Sequence, residues 1–235
     1  MKILLDIGNT SAKLVVSDNG DFVHFERKSE PWRDVLHRLA KTYKIDEAVV
    51  STVMGEDREL ADALRDLSVS CRHISRETPC RSKTLHGIPE TYGADRLAAD
   101  YGAVAQDLNS TVLVIDAGTC ITYDLISSDG RFLGGAISPG VQLRLNAMHD
   151  YTAKLPLVKA VRETPILSDN TEGNLMSGAV NGARMEMVGF VNKLSEAYAD
   201  LHVFVTGGDG LDLSSDVQCM ATYDPYLVFK GLDSI

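Results

Sequence analysis

Basic residues are in short supply: Lys and Arg total 23 against 33 Asp and Glu, a formal charge of −10 over 235 residues. Such a chain has no electrostatic footprint for coating nucleic acid or anionic lipid, although one local basic pocket is compatible with it. Cysteine is also rare. Cys71, Cys80, Cys120 and Cys219 show no C-x-x-C spacing, so neither a zinc ribbon nor a disulfide framework is indicated. The six His are scattered, with no H-E-x-x-H. No apolar run approaches the roughly 18 residues of a membrane span. Only three apolar residues separate Lys2 from Asp6, which does not read as a secretory signal. Neither G-x-x-x-x-G-K-[ST] nor G-x-G-x-x-G occurs, which removes the P-loop and the Rossmann fingerprint. Low-complexity segments and Pro/Ser-rich linkers are missing too. What remains is ordinary globular composition, 44% apolar and 24% charged, long enough for one large domain or two small ones. A reducing, cytoplasmic setting is the expectation.

What is present is a repeat. Residues 3–22 (ILLDIGNTSAKLVVSDNGDF) lie over residues 113–132 (LVIDAGTCITYDLISSDGRF) without a gap. Asp6 then falls on Asp116, Gly8 on Gly118, Ser17 on Ser127, Gly20 on Gly130 and Phe22 on Phe132. Each copy reads as an apolar strand, D-x-G-[NT], a second apolar strand, a polar turn ending in Gly, and a third strand. Duplication implies two similar lobes with a cleft between them, here 1–105 and 106–235.

The remaining pattern is α/β. Trp32, Val35, Leu36, Leu39, Ala40 and Tyr43 recur at helical spacing, with Pro31 suited to the first turn. Residues 48–53 form a β-rich run, and Leu60, Ala63, Leu64 and Leu67 mark a further helix. Another apolar stripe runs over residues 97–105, just after Gly93-Ala94-Asp95-Arg96. Residues 171–198 read as one long helix. Gly178, Gly182 and Gly189 lie inside it, each costing about 1 kcal/mol relative to Ala, and close approach of another backbone is the expected compensation. Residues 202–206 read as a strand running into Gly207-Gly208-Asp209-Gly210. Strands followed by helices in each half predict mixed sheets.

An Asp at the end of a buried strand, followed by a Gly turn, projects a carboxylate at the sheet edge. The Gly leaves backbone N–H groups free to face an anion. Asn9, Thr10 and Thr119 add short polar side chains suited to phosphate oxygens. Carboxylates cannot bind phosphate directly; Asp6 and Asp116 would hold the cation that neutralises it. Read alone, one copy is more simply a β-hairpin whose Asp and Gly only make turns; two copies at matched positions, with the Gly-rich strand end at 206–210, favour the phosphate reading. Asp95 stands where a helix begins, as a base or as a simple helix-terminal cap. Arg96 offers a planar fork for a carboxylate or phosphate, or a surface salt bridge. Thr171 reads as a helix N-cap.

These hairpins resemble those of the actin, Hsp70 and sugar-kinase ATPases, whose duplicated ribonuclease H-like fold the resemblance implies. Within that superfamily the motifs DIGNTSAKLV (6–15), GADR (93–96), DAGTCITYD (116–124), GGAISPG (134–140), TAKLP (152–156), NTEGNLMSGAVNG (170–182) and TGGDG (206–210) resemble, in order and spacing, type III pantothenate kinase. The resemblance implies ATP-dependent phosphorylation of the primary hydroxyl of pantothenate, the first step toward coenzyme A. It assigns Asp95 as the base and Gly93, Ala94, Asp95 and Arg96 to the pantothenate site. Asp6, Ile7, Gly8, Asn9, Thr10, Ser11, Ala12 and Lys13 match the ATP phosphate loop, and Thr119 matches a further ATP contact. Asp116 matches the ligand of a monovalent cation, K+ or NH4+, while Asp6 is the candidate for Mg2+ brought with ATP. TGGDG would lie toward the adenosine. Thr171 matches a substrate contact supplied by a dimer partner, which implies a homodimer formed through the second lobe.

The chain departs from the family in places. A Tyr often stands seven residues before the Gly of G-x-D-R; here that register gives His86, with Tyr92 directly before Gly93 as another residue near the substrate. Position 120 is Cys where Ala is common, and reads as a small buried residue. Two rival functions share the fold: a kinase for another small alcohol or a sugar, and a non-catalytic regulator.

Overall fold

A computed structural model describes every residue except 56, 162 and 215–220; Cys219 therefore lies outside the described residues. The chain divides into two units, Met1–Leu108 with Tyr226–Ile235, and Asn109–Pro225. In the first, β1 (Lys2–Ile7), β2 (Ala12–Asp18), β3 (Asp21–Arg27), β4 (Glu47–Thr52) and β5 (Ser70–His73) form one sheet in the order β3-β2-β1-β4-β5. In the second, β6 (Thr111–Ala117), β7 (Cys120–Ile126), β8 (Phe132–Pro139), β9 (Leu201–Thr206) and β10 (Ala221–Tyr223) form the other, in the order β10-β9-β6-β7-β8. Both sheets have the same wiring. The first strand pairs antiparallel with the second and parallel with the fourth.

The repeat is therefore real, but its gapless form is corrected by the strand register. Asp6 faces Lys13 across the first hairpin, whereas Asp116 faces Thr122 rather than Tyr123. The first loop is one residue longer, and the β7–β8 turn returns that residue, since Ser17 pairs with Phe22 but Ile126 with Phe132. Burial confirms the slip. Leu14 and Val16 enter the first core, while Tyr123 and Leu125 enter the second. A one-residue shift moves every side chain to the other face of a sheet, and the gapless match would have set Leu14 on Asp124. Even the strand irregularity repeats in the corrected frame, between Val16 and Ser17 and between Leu125 and Ile126.

Helices cover the sheets. In the first unit α1 (Trp32–Ala40) and α2 (Arg58–Asp66) pack Trp32, Val35, Leu36, Leu39, Leu60 and Leu64 onto Ile3, Leu5 and Val50. Pro31 stands at the N-cap of α1, not inside its first turn. The Asp57 carboxylate joins the two helices: it accepts from the Leu60 N–H at 3.1 Å, capping α2, and from the Trp32 indole at 2.8 Å. In the second unit α4 (Val141–Asp150) and α5 (Thr171–Ala197) bury Val141, Leu145, Leu175, Ala179, Ala183, Met187 and Val191 against Ile115 and Tyr123; the short α6 (Gly210–Leu213) follows β9.

Close backbone contact occurs, but not at the expected glycines. Among the described residues a Cβ at Gly178 or Gly189 would meet nothing within 4 Å, and one at Gly182 would meet only Arg144 at 3.6 Å. The close contact lies instead between α3 (Ala94–Gln106) and the last helix, α7 (Leu227–Asp233), where a Cβ on Gly231 would lie 1.7 Å from the Ala98 carbonyl oxygen. That packing places the last ten residues, which the sequence reading assigns to the second lobe, with the first unit. Among the described residues no helix is long and apolar enough to cross a membrane.

Candidate active site

The first unit collects one set of predicted residues at the ends of β1, β2 and β4. After Ile7 the chain turns through Gly8–Ser11, closed by the Gly8 N–H donating to the Ser11 carbonyl at 3.1 Å. Asn9, Thr10 and Ser11 are exposed, and Gly8, Ala12 and Lys13 half-buried. The Ile7 side chain belongs to the core, so its contribution to a loop site is backbone only. Asp6 lies opposite Lys13 and beside Ser51 of β4. Burial pushes the Asp6 carboxyl from 3.8 up to about 6; the Lys13 ammonium opposes this and the negative charge of Asp95 adds to it. The GADR acid and the phosphate-loop acid thus feel one another within one unit, although they are far apart in sequence.

Asp95 sits in the first turn of α3. The N-cap is Gly93, extended at φ −65° and ψ 139°. Asp95 Oδ1 accepts the Arg96 N–H at 2.8 Å, taking one of the donors a helix start leaves without an intrahelical partner. A Cβ at Gly93 would lie 2.5 Å from that same oxygen; glycine is what lets the carboxylate fold back over the helix end. Ala94, Asp95 and Arg96 are all half-buried. The Arg96 guanidinium lies over the Tyr92 ring, 4.3 Å from its centroid. His86 is exposed in the segment between β5 and α3.

In the second unit the Gly118 and Gly207 turns lie against Asp116, and the Gly140 turn packs on the loop that follows it. The Thr119 carbonyl accepts the Gly140 N–H at 3.0 Å, and the Ala117 carbonyl accepts the Asp209 N–H at 3.0 Å. The TGGDG and ISPG motifs are thereby tied to the DAGT turn. Gly207 has φ +93°, and a Cβ there would lie 2.5 Å from Asp116 Oδ1 and 2.3 Å from the Ala117 oxygen. Both conformation and space demand glycine at that position. Thr119 is exposed and Cys120 half-buried rather than buried. Thr171 is exposed at the first position of α5, but the N-cap is Asn170, whose Oδ1 accepts from the Gly173 N–H at 2.9 Å. The capping role expected of Thr171 therefore belongs to its neighbour.

A family model for type III pantothenate kinase matches residues 2–193. The chain belongs to the type III pantothenate kinase family. A relative of that name from Phocaeicola vulgatus is 37% identical over 235 residues, covering all of this chain and 97% of its own length. Another from Bacteroides fragilis is 36% identical with the same coverage. Among solved structures, a candidate 2-dehydro-3-deoxygalactonokinase from Sinorhizobium meliloti superposes with a TM-score of 0.62 at 14% identity, covering 99% of this chain and 97% of that one. The fold is that of the sugar-kinase and actin-like ATPases.

For a pantothenate kinase of this family, sequence reading overlooked Ser51. Its hydroxyl is fully buried and, among the described residues, has no hydrogen-bond partner. Parallel register sets it on the same sheet face as Asp6. Its counterpart in the second unit is Thr206, the last residue of β9, which lies beside Asp116 as Ser51, the next-to-last residue of β4, lies beside Asp6; both lie outside the repeated segments, so only the strand register shows the match. Gly140 also escaped, because its role is to let the chain pass the Gly118 and Thr119 carbonyls, where a Cβ would lie 2.2 and 2.6 Å away.

Proposed function

We propose that this chain carries out its family's reaction, transfer of the γ-phosphoryl group of ATP to the primary hydroxyl of pantothenate, with the following division of labour. Backbone N–H groups of Asn9, Thr10 and Ser11, in the turn that the Gly8 N–H closes, hold phosphate oxygens together with the Asn9 and Thr10 side chains, and Lys13 supplies a fixed positive charge. Asp6, with the buried Ser51 hydroxyl beside it, suits Mg2+ carried in with ATP; an orphaned buried oxygen next to a carboxylate fits a hydrated cation. That ion, when bound, neutralises charge on the phosphates. No three of His, Cys, Asp or Glu gather as a metal cluster among the described residues. Asp116, with the Gly118 and Gly207 turns against it, suits a monovalent cation, K+ or NH4+, and Thr119 contacts ATP. Asp95 accepts the pantothenate hydroxyl proton, and Arg96, with Gly93 and Ala94, receives the substrate's carboxylate.

The observation that carries this reading is the family match over residues 2–193, and the presence of Asp6 and the GADR segment in one unit supports it. Replacing Asp95 by Asn tests it. A positioned general base contributes about 10²–10⁴-fold, so kcat should fall by that much with thermal unfolding little changed. A variant near the wild-type rate refutes the assigned base. ADP release with and without pantothenate, and across a panel of alcohols, separates this reading from a sugar kinase or a regulator.

The homodimer belongs to the same proposal. The long α5 presents Asn174, Gly178, Met185 and Gly189 along one exposed stripe, and the resemblance places Thr171 at a partner's substrate. Sedimentation velocity should give a dimer, and Gly178→Leu should shift it toward monomer. A cytoplasmic location accords with the reaction.

A further inference from the structure

Directly before α3 lies an arrangement that none of the roles above uses. The Tyr92 phenol donates to Asp100 Oδ2 at 2.7 Å, and Asp100 is fully buried. Arg96 and Asp100 are one helical turn apart, so they share a face of α3. The Tyr92 ring lies along that face, its hydroxyl held at one end and the Arg96 guanidinium stacked over its plane, 4.3 Å from the centroid. A hydrogen bond from a phenol to a carboxylate is charge-assisted and strong for its kind. A guanidinium over an aromatic face is held by the ring quadrupole while its edge keeps its donors.

We propose that Tyr92 is a positioning residue for Arg96, a platform anchored by Asp100 that presents the guanidinium edge-on to the substrate carboxylate. Arg is long and flexible, and ordering it only on binding would weaken affinity; a pre-stacked Arg avoids much of that loss. The phenol is already committed to Asp100, so Tyr92 acts through Arg96 and not by touching pantothenate. The positive charge that reads the substrate thus stays in one orientation before substrate arrives. This inference rests on the reading that Arg96 receives the carboxylate.

The test compares Tyr92→Leu, Tyr92→Phe and Arg96→Leu on pantothenate and on pantothenol, the analogue with a CH2OH in place of the carboxylate. Removing the platform should raise KM for pantothenate on the order of tenfold, the size of a partly desolvated cation–π contact, with kcat close to wild type. KM for pantothenol should not move. Tyr92→Phe keeps the ring and loses the anchor, so its effect should be smaller and of the same pattern. Should both Tyr92 variants raise the two KM values alike, or lower only kcat, while Arg96→Leu affects pantothenate alone, positioning is refuted and the role of Arg96 stands. Should Arg96→Leu affect both substrates equally, the carboxylate reading fails and the positioning role goes with it. If Tyr92→Leu folds poorly, the volume-preserving Tyr92→Phe decides between these outcomes.

Discussion

Gly102→Ala puts two elementary effects in direct opposition. Helix propensity alone says that Ala in place of an interior Gly stabilises by about 1 kcal/mol. Packing says the reverse. A Cβ at position 102 would lie 2.0 Å from the Leu227 carbonyl oxygen, 2.9 Å from its carbon and 3.1 Å from the Gly231 nitrogen. Carbon and oxygen settle no closer than about 3.3 Å even in favourable C–H···O contacts, so α3 and α7 would have to part by roughly 1 Å. The obstacle is backbone on both sides, which no rotamer change relieves. Parting the helices loosens Leu227, Phe229 and Leu232, all buried. Overpacking costs about 1–3 kcal/mol and occasionally more, and a clash of backbone on backbone belongs at the upper end, so the expected net effect is destabilisation of about 2 kcal/mol after the propensity gain. The chain's one tryptophan, Trp32, is buried in the same unit, and its fluorescence in a urea titration reports the change. Gly231→Ala should behave alike, and the double variant should cost less than the two singles combined, because one separation relieves both clashes. A Gly102→Ala protein as stable as wild type would refute the close contact. Since α3 carries Asp95 and Arg96 at its start, the same variant should also lose activity before it loses its fold.

Asp6→Asn should stabilise the protein stripped of nucleotide and divalent ions. With the folded carboxyl near 6 against 3.8 unfolded, its charged form is disfavoured by about 3 kcal/mol above pH 6. The gain in melting temperature should therefore be full at pH 8 and vanish near pH 4; a gain independent of pH would contradict burial as its cause. Ser51→Ala removes a hydroxyl with no partner among the described residues, so folding stability should hold or rise by about 1 kcal/mol. Its KM for Mg·ATP should rise nonetheless, and an unchanged KM would remove Ser51 from the nucleotide site. Glu186 shows the opposite titration. Burial alone would raise its carboxyl, but hydrogen bonds from Arg144, Ser138 and Tyr123 outweigh this and hold it below 4.5. Its contribution is present above the unfolded value and lost as pH falls through the folded one. Denaturant unfolding of Glu186→Gln should accordingly show its deficit at pH 7 and close the gap with wild type in acid.

Much of this was legible because it is local. The Asp-Gly turns, the apolar stripes of α1 and α2, and the long α5 all follow from short-range spacing, and the structure keeps them within a few residues. The slip between the two hairpins was hidden because one residue lost in the first loop is regained in the next turn, so ends match while the middle does not. Only face alternation, Leu14 and Val16 against Tyr123 and Leu125, exposes it. The contact of α7 with α3 was invisible for another reason. Gly102 and Gly231 are ordinary glycines until the chain returns across more than half its length, whereas Gly178 and Gly189 looked like packing glycines and meet nothing among the described residues of their own chain. Asn170 and Thr171 are both capable caps, and sequence alone does not say which of two neighbours leaves the helix. Tyr92 could be placed near the substrate segment but not assigned a partner, since Asp100 lies a full two turns along the helix.

The unequal hairpin loops carry a chemical consequence. Because the register differs by one, the strand residue across from Asp6 is Lys13 while that across from Asp116 is Thr122. Under the proposed reading, one half of the molecule has a cation on a covalent tether beside its acid at every moment, to which the nucleotide's Mg2+ is added. The other half borrows its own from the surrounding electrolyte, so the enzyme's rate would track the alkali-ion content of its surroundings through the second hairpin alone.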